Sequence, residues 1–229
     1  MSLILTHTRK IIMKNDCYWI LCILFFTSCS PRNAALRSNN NSTAINSAAF
    51  VKVSNTTFEI NGKPYHYLGT NFWYGMNLGS KGPGGNRERL LRELDRLKNI
   101  GVQNLRVMAG SEGPDTEPWR MLPSLQTSPG KYNQQVLDGL DFLLAEMKKR
   151  NMYAIMCLNN FWPWSGGMGQ YLVWSGAADS IPYPPPQPGG DWGKYAKFTA
   201  QFYSNAKAMD FVQSAYKLYR KQKKCLYGD

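Results

Sequence analysis

Histidine is almost missing from these 229 residues: only His7 and His66 occur, too far apart to share a metal ion. Five cysteines, at positions 17, 22, 29, 157 and 225, show neither zinc-site spacing nor the density of a disulfide framework. Charge is sparse at 18% of residues against 43% hydrophobic, which excludes a chain kept disordered by its own repulsion. No apolar run reaches the roughly 18 residues of a membrane-spanning helix. The first expected strand is not followed by a glycine-rich phosphate cradle, so a dinucleotide-binding fold lacks its fingerprint.

The formal net charge of +12 suggests nucleic acid at first sight. Its distribution argues otherwise. Arg9, Lys10 and Lys14 lie near the start, while Lys217, Arg220, Lys221, Lys223 and Lys224 crowd the last thirteen residues. Between them both signs mix, and no basic stripe interleaves with aromatics, so no nucleic-acid partner is expected. What the chain has in plenty is aromatic: seven Trp and thirteen Tyr, a supply that suits flat sugar faces as well as a large core.

Residues 1–29 read as an export signal. Lys14 precedes the mostly apolar run Cys17–Thr27, long enough for a signal core and too short to span a bilayer. Phe26-Thr-Ser-Cys29 resembles a lipobox, which predicts lipid on Cys29 and no other membrane contact, placing the exported chain at the cell envelope or outer surface, with secretion to the outside as the alternative. Met13 is an alternative start to Met1. Residues 30–49, rich in Asn, Ser and Ala, read as a flexible linker.

Order is expected from Phe50. A small hairpin with its turn at Asn61-Gly62 leads into a first strand, Tyr65–Gly69. Leu90, Leu91, Leu94 and Leu97 have helical spacing, closed by Gly101. Val102–Met108 is the next strand, and Val136, Leu137, Leu140, Leu144 and Met147 mark the next helix. Met152–Leu158, apolar throughout, reads as a parallel strand covered on both faces. Phe198, Phe202, Met209, Val212 and Tyr216 give one further helix. Three β-then-α units, with long loops only after the strands, point to an α/β fold: an incomplete (β/α)8 TIM barrel, with a doubly wound sheet as the alternative.

Polar and aromatic groups gather at the expected strand ends. The phrases that carry them are Gly69-Thr-Asn-Phe-Trp-Tyr74, Asn104-Leu-Arg-Val107, Leu125-Gln-Thr-Ser-Pro-Gly-Lys-Tyr132, Gly139-Leu-Asp-Phe-Leu-Leu-Ala-Glu146 and Leu158-Asn-Asn-Phe-Trp162. In this order they resemble the endo-β-1,4-mannanases of glycoside hydrolase family five, over residues 50–213. The resemblance implies a retaining barrel glycosidase acting on mannan, glucomannan or galactomannan without metal or cofactor. It implies that Arg106 holds a nucleophilic carboxylate ionised, a task suited to a permanently charged, bidentate guanidinium. It places Trp73 and Tyr74 beneath the sugar subsites, Asn159 and Asn160 on the cleft wall, and Trp162 along the cleft. Gln170, Tyr171 and Trp164 are further substrate-binding candidates.

In that family the acid/base carboxyl follows the fourth strand and the nucleophile ends the seventh, and the expectation is that this chain contains neither. Glu112 and Glu117 stand where the family uses no carboxylate. Residues 214–229 depart from the family pattern as a basic tail, which suggests a premature stop or shifted reading frame. The chain alone is therefore expected to be inactive and marginally folded. A cellulase or other β-glucanase of the same family, or a non-catalytic carbohydrate-binding lipoprotein, remain alternatives on these residues.

Overall fold

The computed structural model describes residues 50–227, with side chains as far as Leu218. The expected signal, its lipobox Cys29 and the linker lie outside the described residues. Three short strands come first: β1 (Lys52–Ser54), β2 (Thr57–Ile60) and β3 (Lys63–Pro64), all antiparallel. Asn61 and Gly62 both have positive φ, 52° and 72°, the requirement of a tight hairpin turn. Tyr65 still belongs to this sheet, because its N–H donates to the Phe58 carbonyl at 2.7 Å. The first strand of the main sheet is consequently β4 (Leu68–Asn71), shifted forward from the expected Tyr65–Gly69.

A short helix, α1 (Gly75–Gly79), follows at once, and then α2 (Arg87–Asn99). Asn86 caps α2 by accepting the Arg89 N–H at 2.9 Å. Leu90 and Leu94 are fully buried, each contributing about 1.5–3 kcal/mol, and Gly101, at φ 88°, turns the chain into β5 (Val102–Met108). The long connection beyond β5 holds a hairpin, β6 (Gln126–Ser128) and β7 (Lys131–Tyr132). Asn133 then caps α3 (Gln134–Lys149) through the N–H groups of Gln135 and Val136.

Strand β8 (Tyr153–Cys157) completes a parallel sheet of order β4-β5-β8. Helices α1, α2 and α3 cover one face of it. Gly139 of α3 lies against α1 so closely that a Cβ would strike the Met76 carbonyl oxygen, which explains a glycine inside an apolar helix. The other face is covered only in part: Asn104 and Met108 of β5 are buried there, while Arg106 and the β8 residues beside it lie open. The expectation that the third strand is enclosed on both sides therefore fails: every β8 residue is half-buried or exposed, and Ile155 is 47% exposed. Three strands have no opposite wall to shield their inner face.

The connection after β8 contains a 3-10 turn (Pro163–Ser165) and a helix, α4 (Gly167–Ser175). The single helix expected around Phe198–Tyr216 is two, α5 (Trp192–Ala200) and α6 (Ala206–Tyr227), parted by a 3-10 turn. Asn205 makes the break: its backbone is extended and its side chain accepts the Ala208 N–H at 2.9 Å, capping α6. Helix α6 runs through Gln213 without interruption, so the boundary drawn there falls inside one element.

Candidate functional site

Parallel pairing brings the carboxyl ends of β4, β5 and β8 to one edge of the sheet. Side-by-side register sets Asn71, Arg106 and Ile155 in a row across it, facing the same way. Arg106 is exposed on that face and donates to the Cys157 thiol sulfur at 3.1 Å. Cys157 in turn donates to the Asn159 carbonyl at 3.2 Å. Arg106 and Asn159 thereby share an open groove of about 570 Å3, walled by Ile155, Met168, Met209 and Tyr216. Among the described residues, no carboxylate pairs with Arg106.

The aromatics frame this edge. Trp73, directly beyond β4, is 44% exposed and meets Trp164 edge-on at 5.2 Å, joining the first strand end to the third. Tyr74 touches Trp73 but is half-buried, its hydroxyl donating to the Leu122 carbonyl at 2.9 Å. Of the two, Trp73 is the open face and Tyr74 the anchor. Both line a second, smaller recess, closed by Arg89 and Glu93 of α2 and separate from the groove of Arg106 and Asn159. Trp162 is 47% exposed and stands edge-on to Phe161 and Trp192.

Three of the residues singled out from sequence face inward. Asn160 is buried, its Oδ1 accepting the Trp162 N–H and its carbonyl the Met168 N–H. Gln170 is buried and accepts from Arg120 Nη2 at 2.7 Å. Tyr171 is buried, with its hydroxyl donating to Gln126 Oε1 at 2.9 Å. Their polar atoms hold the loops together.

No local sequence pattern marks the residue at the centre of that loop junction. Arg120 spans it, donating to the Glu112 carbonyl, to Gln170 and to the Tyr183 hydroxyl at 2.8 Å. Tyr183 donates onward to Glu117 Oε2 at 2.7 Å, and burial pushes its hydroxyl up to about 12. Glu112 is buried, and Gly167 donates its N–H to Glu112 Oε2 at 2.7 Å. Burial raises the Glu112 carboxyl to about 7, against the opposing pull of the Gly167 N–H, Tyr171 and Arg120. Cys157 lies within the apolar run Met152–Leu158, whose pattern does not set it apart. The Gly-Gly pair 166–167 was the available signal, since adjacent glycines mark a backbone forced into unusual angles.

Known proteins resemble this chain in sequence and fold. Mannan endo-1,4-beta-mannosidase 5 of Solanum lycopersicum is 29% identical over 191 residues, covering 83% of this chain and 42% of the relative. The crystal structure of a glycoside hydrolase family 5 mannosidase from Rhizomucor miehei superposes with TM-score 0.67 at 43% identity, over 75% of this chain and 41% of that one. A variant of that mannosidase was crystallised in complex with mannosyl-fructose. The chain thus spans about two fifths of the length of each of these two proteins. A family model described as GH family 5 beta-mannosidase-like matches residues 48–226, which takes in every described element from β1 almost to the end of α6. The chain belongs to glycoside hydrolase family 5, in its β-mannosidase-like group.

Proposed function

We propose that this chain forms the substrate-gripping front of a (β/α)8 barrel that hydrolyses β-1,4-mannosidic linkages by a retaining mechanism. Strand β4 with α2, β5 with α3, and β8 with α6 are its first three units. The observation that carries the reading is that Arg106 and Asn159 share a groove at the carboxyl edge of a parallel sheet, with the exposed indoles of Trp73 and Trp162 in the loops that leave β4 and β8 at that edge. Indole faces stack on the apolar faces of sugar rings, while the amide and guanidinium direct the hydroxyls. Tyr74, Trp164, Asn160, Gln170 and Tyr171 serve this rim by holding it in place. Arg106 is placed to hold a nucleophilic carboxylate ionised, and none of the described residues supplies one to it. Export through residues 1–29, with lipid on Cys29, puts this function at the cell envelope.

A second reading is favoured by the family description and by the 43%-identical solved mannosidase. On that reading the substrate is a short mannoside rather than a long backbone. Electrophoresis of the chain through gels containing galactomannan tests the shared claim. Retardation by galactomannan is expected to exceed that by carboxymethylcellulose, and Trp73→Ala is expected to weaken it about tenfold, the loss of one stacking face at ~1.5 kcal/mol. Competition by mannobiose as strong as that by mannohexaose favours the short-substrate reading. Equal mobility of wild type and Trp73→Ala would end both.

A further inference from the structure

The Glu112 carboxyl has no part in the sugar-binding reading, yet it is enclosed where the two long connections cross. Four links meet around it. Glu112 donates its N–H to the Ser165 carbonyl at 2.8 Å, and Gly167 returns an N–H to Glu112 Oε2 at 2.7 Å. Arg120 donates to the Glu112 carbonyl, and Met121 to the Trp164 carbonyl at 2.8 Å. The Gly166-Gly167 backbone is shaped for this contact: both have positive φ, and a Cβ on Gly166 would strike Glu112 and Arg120. The carboxylate also sits at the amino end of α4, where the helix dipole favours negative charge. Facing it are Arg120 from its own connection, Tyr132 from β7, Tyr171 from α4 and Tyr216 from α6.

We propose that Glu112 is a positioning residue whose carboxyl group latches the segment bearing Asn159, Trp162 and Trp164 onto the connection after β5, setting the rim for sugar. Its purpose rests on the sugar-binding reading; its mechanics do not. Opening the latch lets water reach the carboxyl and returns it from about 7 toward its ordinary 4.5. The closed form holds the proton more tightly, so the latch is firmest below pH 4.5. It loosens as pH rises to about 7 and then levels off. Linkage for one such group gives about tenfold more opening at pH 8 than at pH 6. Glu112→Gln keeps the shape and an acceptor for Gly167 but has no proton to lose.

The test is hydrogen exchange of the Gly167 amide in the full chain, corrected for intrinsic rate, at pH 6 and pH 8. Retention by galactomannan is measured in the same buffers. Wild type is expected to open about tenfold more at pH 8 and to be retained less, while Glu112→Gln is flat in both. A wild-type amide whose opening is equal at the two pH values overturns the latch, and this outcome needs no variant to fold. A Glu112→Gln profile that follows wild type overturns it too. Opening that changes while retention does not would leave Glu112 a stabiliser and overturn its positioning role. If no form is retained by galactomannan at either pH, the sugar-binding reading fails, and the exchange data still decide the latch.

Discussion

Purified residues 30–229 are expected to release no reducing ends from glucomannan above the uncatalysed rate. A retaining glycosidase needs two carboxyl groups about 5–5.5 Å apart on either side of the scissile bond. The acidic groups near the strand ends are committed elsewhere. Glu112 is enclosed by its own loop junction, Glu117 accepts from the Tyr183 hydroxyl, and Asp115 accepts the Ser124 N–H at 2.9 Å. Glu88 and Glu93 pair with arginines along α2. Arg106 is left against a thiol. If this chain supplies no such pair, the whole acceleration, about 10^6-fold or more, is missing. A reducing-sugar assay with a synthetic mannohexaose as second substrate measures this. Release that scales with protein concentration and survives repurification would show a working carboxylate pair inside this chain and contradict the reading.

The second large effect concerns stability. Gly167→Ala is expected to cost ~3 kcal/mol or more, which for a chain of this size lowers the unfolding midpoint by roughly 6–12 °C. Gly167 has φ 56°, and a Cβ there would run into the Asn160 carbonyl oxygen, a backbone atom that cannot turn aside. Relief would move the Gly167 N–H off Glu112 and take one donor from a buried carboxyl. Gly176 provides the comparison. It has φ 85° at the carboxyl end of α4, but nothing lies within 4 Å of the position of its Cβ. Gly176→Ala is therefore expected to cost only ~1 kcal/mol, the strain of the left-handed backbone alone. Thermal melts of the two variants side by side check this, and equal shifts would contradict the tight junction.

The main sheet was legible because its signals are local. Val102–Met108 is read at its observed limits, and the leucines at 90, 94 and 97 together with Gly101 define α2 almost to the residue. The expected row of strand ends follows from the same alternation, since parallel strands joined by helices must present their carboxyl ends to one side. Three features were not legible, each for a physical reason. Asn205 splits one apolar periodicity into two helices, because a cap changes the backbone without interrupting the apolar pattern. Helix α4 hides in Gly167-Met-Gly-Gln, a stretch poor in helix formers whose helix is fixed by tertiary contacts instead. The inward turn of Gln170 and Tyr171 depends on Arg120 and Gln126, partners brought together only by the crossing of two loops, and that of Asn160 on its place against Met108 of β5. Polar residues in a loop look alike in sequence whether they face a ligand or one another.

Joining the chain at the end of α6 to the remaining part of the Rhizomucor miehei mannosidase puts the central claim to its most direct test. The measurement is kcat/KM of this chimera on mannohexaose, with and without Arg106→Ala. If the strand-end groups grip a β-mannan and Arg106 keeps the incoming nucleophile charged, the chimera turns over and Arg106→Ala lowers kcat/KM by about 100-fold or more, the loss of a charge-assisted pair at the reacting centre. A cooperatively folding chimera whose rate is untouched by Arg106→Ala would contradict that claim.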